Sequence, residues 1–236
     1  MRSNAYTLGF TSAITIVLGF FLALAADSLR DLQDLNVEND MKKNILLSLG
    51  FRPAADTQWT SDEIQALFDK NIDGFVLDAK GNRTDLDPQS IDTEKDIGNL
   101  PLFVRKAGNE IGGYAIPIAG KGLWSTLFGY FAIEPDGRTA KGITFYKHGE
   151  TPGLGGEVDK AWFQENFIGK RFVDENDNLI GIKVLKGKVQ SDDPDAIHKV
   201  DGISGATMTT KGLENFLKDD LSKYEPFFKK VRGGQG

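Results

Sequence analysis

LFVRKAGNEIGGYAIPIAGKGLWSTLFGYFAIEPDGRTAKGITFY, residues 102–146, decides the fold class. Aromatic and β-branched residues come in short runs separated by turn residues, the pattern of strands rather than of helices. Leu102 to Arg105 reads as a strand, Gly108-Asn109 as a turn, and Ile111 to Ile118 as the returning strand. Leu127 to Ile133 and Gly142 to Tyr146 repeat the unit around the turn Pro135-Asp136-Gly137. Hairpins of this kind build an antiparallel sheet.

Outside this stretch the pattern changes to helical spacing. Upstream, Thr60-Ser61-Asp62-Glu63 is a capping box, with Ile64, Leu67, Phe68 and Ile72 following at helical intervals. Gly74 to Leu77 reads as a strand ending at the turn Gly81-Asn82, and Asp85 to Asp96 as an acidic loop. Downstream, Ala161 to Gly169 reads as a short helix, Ile180 to Leu185 as a strand, and Leu213, Phe216, Leu217 and Leu221 as the inner face of a final helix. The class is α+β, an antiparallel sheet with flanking helices.

The N-terminus has a different character. Thr7 to Ala26 carries no charge and is apolar on every face, long enough for the roughly 20 residues that cross a bilayer. A cleaved signal peptide is the competing reading, with Arg2 as its charged region and Ala23-Leu24-Ala25 as its cleavage site. The run exceeds a signal peptide's usual apolar region of ~7–15 residues, which favours a retained anchor. Arg2 on one side and Arg30, Lys42 and Lys43 on the other do not decide orientation. Asp27 to Leu49 reads as a connecting helix stopped by Gly50. The expected organisation is a tail at 1–6, a transmembrane helix at 7–26, and a connecting helix at 27–50. A mixed region at 51–99, a sheet domain at 100–228 and a flexible tail at 229–236 follow.

Composition excludes several functions. Cysteine is absent, so disulfides, thiolate metal sites, iron–sulfur ligation and cysteine nucleophiles are ruled out for this chain. A net charge of −6 offers no basic stripe for nucleic acid. No Gly-x-Gly-x-x-Gly fingerprint marks a dinucleotide fold.

Three short strings carry the functional reading. Gly120-Lys121-Gly122-Leu123-Trp124-Ser125 is a tight turn presenting a flat apolar ring, or a core tryptophan beside a turn. His148-Gly149-Glu150-Thr151-Pro152-Gly153-Leu154-Gly155 is a rigid loop suited to clasping a planar ring, or a plain surface turn. Asp201-Gly202-Ile203-Ser204-Gly205-Ala206-Thr207 precedes the last helix, where backbone N–H groups and the helix dipole favour a phosphate. Gly202, Gly205 and Ala206 leave room for a phosphate beside the Thr207 hydroxyl, although a turn and helix cap would use the same residues.

In this order, behind an N-terminal apolar span, the three strings resemble the C-subunit family of the sodium-translocating NADH:quinone oxidoreductases, over the length from the anchor to the final helix. The resemblance implies a domain binding flavin mononucleotide, FMN, joined through its phosphate to Thr207. Asp201, Ser204, Gly205 and Ala206 would belong to the attachment motif. Trp124, Glu150, Thr151, Gly153, Leu154 and Gly155 would lie about the flavin ring. It further implies an electron relay without NADH chemistry of its own, in a membrane complex of six subunits. A flavin transferase would load the chain from FAD, and the soluble domain would be periplasmic on a single-pass anchor in a bacterial inner membrane.

Rival readings differ in class. Gly202-Ile203-Ser204-Gly205-Ala206 nearly spells a hydrolase nucleophile elbow, yet His148 and His198 both precede Ser204, whereas that fold places its histidine afterwards. A membrane-anchored assembly protein without cofactor is a second rival. The G-subunit family of the Rnf ferredoxin:NAD+ oxidoreductases is a third. His148 is either a neighbour of the flavin or a hydrogen-bonded loop residue.

Overall fold

The computed structural model describes residues 3–55, 57–91, 96 and 98–234. Met1, Arg2, part of the acidic segment 85–96 and the last two residues of the expected tail lie outside them. The chain divides into two compact units, Met1–Asp40 and Met41–Gly236.

Helix α1 runs from Asn4 to Ser48 without interruption. Among the described residues it is the one helix long and apolar enough to cross a membrane. The separate connecting helix expected at 27–50 is therefore a continuation of the same helix. Composition changes at Asp27, but no proline lies between Ala26 and Gly50 to end the hydrogen-bond ladder. Gly50, with φ +89°, supplies the stop.

The second unit is built on a six-stranded antiparallel sheet. Its strands are β1 (Ile72–Leu77), β2 (Arg83–Thr84), β3 (Leu100–Ala107), β4 (Glu110–Lys121), β5 (Thr126–Ile133) and β6 (Ala140–Lys147), in the order β2-β1-β3-β4-β5-β6. The boundary expected at 99/100 runs through this sheet, because β1 pairs with β3 from Ile72↔Arg105 to Leu77↔Leu100. Helix α2 (Ser61–Asn71) leads directly into β1, and its capping box is formed by Thr60 and Glu63.

Both faces of the central strands are covered, which is why β4 and β5 read as nearly continuous apolar runs. Leu102, Ile116, Leu127 and Phe131 enter one core with Phe163, Phe167, Phe172 and the inner face of α4 (Thr207–Arg232). Phe103, Ala115, Tyr130 and Ala132 enter a second core with Ile45, Leu46 and Leu49 at the end of α1 and with Ile64 and Phe68 of α2. Leu213, Leu217 and Leu221 of α4 are almost fully buried, and each such side chain contributes about 1.5–3 kcal/mol. The short helix expected at 161–169 is α3 (Ala161–Gln164) followed by a 3-10 turn.

Two expectations near the C-terminus need correction. Of the strand expected at 180–185, Lys183–Val184 forms β7, whose partner is the parallel β8 (Lys199–Val200), and the Leu185 N–H bonds the Val200 carbonyl at 3.0 Å. The tail expected from 229 is helical to Arg232, which donates to the Gly137 carbonyl at 3.0 Å and pairs with Glu225. Basic residues in a last turn favour a helix end, and here they hold it.

Helix α4 also repairs an opening in the sheet. The β3–β4 ladder stops at Phe103↔Ala115, and Pro101 and Pro117 beyond it have no N–H with which to continue. The Ala119 N–H donates instead to the Asp220 carboxylate at 2.9 Å, and the Tyr224 hydroxyl donates to the Pro101 carbonyl at 2.8 Å. Burial pushes the Asp220 carboxyl above the ordinary value, against hydrogen bonds from Lys223 and Ala119. The folded state thus binds this proton more tightly than the unfolded chain does. Stability from this group is full below the ordinary carboxyl range and is lost as pH rises through the raised value. Asp220→Leu, which orphans the Ala119 N–H, is expected to cost about 1–3 kcal/mol in denaturant titrations. Asp220→Asn keeps an acceptor and should flatten this part of the pH dependence.

Candidate functional site

Three loops meet at the start of α4, and a buried carboxylate joins them. Glu150 is 5% exposed. Its Oε1 accepts from the Trp124 N–H at 2.9 Å and the Ser125 N–H at 3.0 Å, while Oε2 accepts from the Leu123 N–H at 3.3 Å. The Thr209 hydroxyl donates to Oε2 at 2.6 Å, and the Ser125 hydroxyl makes a longer contact with Oε1 at 3.4 Å. Burial penalises the charge on Glu150, but the hydrogen bonds from Thr209 and the N–H groups of Ser125, Trp124 and Leu123 outweigh it. They hold the carboxyl below its ordinary pKa.

Glycines permit this convergence. A Cβ on Gly122 would lie 2.7 Å from Glu150 Oε1, and one on Gly155 would lie 2.6 Å from Thr209 Oγ1. The Ser125 hydroxyl accepts from the Gly149 N–H at 2.7 Å, binding the second loop to the first. Leu154 reaches the third: a Cβ on Gly205 would stand 2.8 Å from Leu154 Cδ2, and Gly205 already holds φ +73°. Gly153, at φ +75°, makes the turn that carries Leu154 there.

The helix itself starts in an unusual way. Ala206 occupies the N-cap, so no side chain caps the first turn of α4. Thr207, the first helical residue, is exposed. Thr209 and Thr210 are 1% and 3% exposed, and Thr210 Oγ1 donates to the Ala206 and Thr207 carbonyls, both at 3.2 Å. Two residues along a helix is about 200° of rotation, so an inward Thr209 places Thr207 outward. Leu123, Trp124, Leu154 and Met208 are large apolar side chains exposed around the same loops, Trp124 at 69%.

Of the residues singled out in the sequence, Trp124, Glu150, Leu154, Gly155, Gly205 and Ala206 are brought together. Thr151 is exposed, and its carbonyl accepts the N–H groups of Leu154 and Gly156, which shapes the loop. Ser204 is exposed. Asp201 turns the other way, accepting the Val189 N–H at 2.8 Å, while the Gly202 N–H bonds the Gly187 carbonyl at 2.8 Å. A Cβ on Gly202 would sit 1.8 Å from the Leu185 carbonyl oxygen, so these two residues fasten the 185–189 loop.

His148 is a hydrogen-bonded loop residue. Its Nδ1 accepts the Glu150 N–H at 3.3 Å and its Nε2 lies 3.6 Å from Asp159. His198 Nδ1 is 2.7 Å from the Arg171 carbonyl, and among the described residues neither histidine is hydrogen-bonded to Ser204, as a hydrolase nucleophile would require. The contact of Thr209 with Glu150 was missed in the sequence. Its signal was the spacing to Thr207, which sets the two hydroxyls on opposite sides of one turn.

The family model for the FMN-binding domain matches residues 122–222, which contain all three loops except the first two residues of the Gly120–Ser125 turn. The C subunit of the Na(+)-translocating NADH-quinone reductase of Vibrio anguillarum is 34% identical, over 97% of this chain and 95% of that one. The equivalent protein of Yersinia pestis is 33% identical, over 98% of this chain and 96% of that one. A crystal structure of the Parabacteroides distasonis member superposes with a TM-score of 0.73 at 31% identity, covering 85% of this chain and 96% of that chain. The similarity thus extends beyond the flavin motif to nearly the whole chain, and the chain belongs to the C-subunit family of the Na(+)-translocating NADH-quinone reductases.

Proposed function

We propose that this chain is an electron relay carrying FMN esterified through its phosphate to Thr207. It serves in a complex of six subunits that couples NADH:quinone electron transfer to sodium export. The observation that carries the reading is the uncapped first turn of α4 with Thr207 exposed on it, while Thr209 and Thr210 are buried and hydrogen-bonded. Free N–H groups and the positive end of the helix dipole fit a phosphate, and the small residues Gly205 and Ala206 leave it space. When bound, FMN supplies reversible electron transfer. The protein's own part is to hold the phosphate at Thr207, to offer Trp124 and Leu154 as apolar surfaces, and to fix the turn that carries Trp124 through Glu150.

Loading by a flavin transferase balances with FAD as donor. The Thr207 Oγ1–phosphorus bond forms, the pyrophosphate bond of FAD breaks, AMP leaves, and the hydroxyl proton is released. Trypsin should excise Val200–Lys211 as one peptide holding all three threonines. After coexpression with the transferase, in-gel fluorescence of the denatured chain and fragmentation of that peptide test the reading. A chain without fluorescence would remove it and leave the reading as an assembly protein.

We further propose a single-pass topology in a bacterial inner membrane, with α1 as anchor and the second unit periplasmic. The natural absence of cysteine makes this accessible to labelling. Ser222→Cys, at an exposed position of α4, is expected to react with a membrane-impermeant maleimide in cells whose outer membrane alone is permeabilised. Labelling only after inner-membrane lysis would reverse the orientation.

A further inference from the structure

Thr209 and Glu150 form a contact that phosphate attachment at Thr207 does not itself require. A hydroxyl 2.6 Å from a carboxylate is ordinarily the more activated nucleophile of a pair, because the carboxylate can take its proton. By that criterion Thr209, not Thr207, is the chemically favoured acceptor. Access reverses the order: Thr209 is 1% exposed and Glu150 5% exposed, whereas Thr207 is exposed. The contact thus removes a competing hydroxyl and fixes the rotation of the first turn of α4. The same carboxylate holds the N–H groups of Leu123, Trp124 and Ser125, so the rotation of the helix and the position of the Trp124 turn are set by one group.

We propose that Glu150, acting through Thr209, is a positioning residue that selects Thr207 as the flavin acceptor and locks the Trp124 turn to the flavin-bearing helix. The selection rests on the reading of Thr207 as the attachment point; the lock can be measured without flavin. Thr209→Val is nearly isosteric and removes only the hydroxyl, leaving Oε2 of Glu150 with the Leu123 N–H. In the full-length, unmodified chain it is expected to raise amide exchange at Leu123, Trp124 and Ser125 roughly ten-fold, although those residues lie far away in sequence. Thr209→Ser, which keeps the hydroxyl, is expected to restore wild-type protection. Thr209→Ala replaces the valine variant should that one fail to fold. Unchanged protection at 123–125 in a folded variant lacking the hydroxyl overturns the lock.

Selection is read in Glu150→Gln coexpressed with the flavin transferase. Mass spectrometry of the 200–211 peptide is expected to show flavin divided between Thr207 and Thr209, with Thr207 occupancy reduced several-fold. A merely structural role would lower loading without moving the attachment point. Flavin confined to Thr207 in this variant, whether at full or at lowered occupancy, overturns the selection. A wild-type chain that takes up no flavin under the same conditions would count against the Thr207 assignment, while the exchange measurement would still decide the lock.

Discussion

Thr207→Val, coexpressed with the flavin transferase, is expected to carry no covalent flavin, while Thr207→Ser retains it. The substitution removes one exposed hydroxyl at the first position of α4. Surface changes of this kind shift stability by at most about 0.5 kcal/mol, so the melting temperature should stay within a degree or two. Loss of fluorescence in the denatured chain, with an unchanged thermal transition, would therefore report chemistry and not misfolding. The neighbouring hydroxyls should not substitute, because Thr209 is held by Glu150 and Thr210 is bonded back to the Ala206 and Thr207 carbonyls. Flavin retained on the 200–211 peptide of Thr207→Val would sink the assignment, and its position would name the true acceptor.

The parts of this fold legible in the sequence are those set by local rules. The capping box at Thr60 and Glu63 and the glycine turns between strands specify their geometry within a few residues, and they are where the pattern placed them. The long strands β4 and β5 were legible because both of their faces are buried. What depends on distant partners was not. The strand read at 180–185 is cut to Lys183–Val184 because its partner, Lys199–Val200, is only two residues long, and the helix at 229–232 is held by Gly137 and Glu225. A charged stretch after Ala26 suggested a new element, but side-chain polarity alone does not break a backbone ladder.

The site divides in the same way. Thr207, Leu154 and Trp124 were visible as types of residue in a telling order. Glu150 was visible too, as a ring contact, yet both of its oxygens are taken by protein donors. A carboxylate flanked by glycines in sequence does not reveal which N–H groups will surround it. Asp201 likewise belongs to the motif while its carboxylate fastens the 185–189 loop.

Gly212→Val is expected to destabilise the second unit by about 3 kcal/mol and to prevent flavin loading, from a position that has no functional group. In an ordinary helix interior, replacing glycine gains: alanine is better by about 0.8–1.0 kcal/mol. Here the backbone decides the sign. A Cβ at Gly212 would lie 2.2 Å from the Lys121 carbonyl oxygen and 3.4 Å from Gly122 Cα, neither of which is a flexible side-chain end. Gly120 faces the same contact from the strand side, since a Cβ there would lie 2.2 Å from Phe216 Cβ. The two glycines together let α4 rest directly on the end of β4. Valine forces the helix away from the strand, which loosens Leu213 and Phe216 and separates Thr209 from Glu150. For a unit of this size 3 kcal/mol corresponds to a fall of roughly 6–12 °C in melting temperature, measured on the full chain in detergent. Gly212→Ala should fall in the same direction by a smaller amount, because overpacking of about 1–3 kcal/mol opposes its gain in propensity. An alanine variant more stable than the wild type would show that the helix can shift without cost, and the close approach would then not be what presents Thr207.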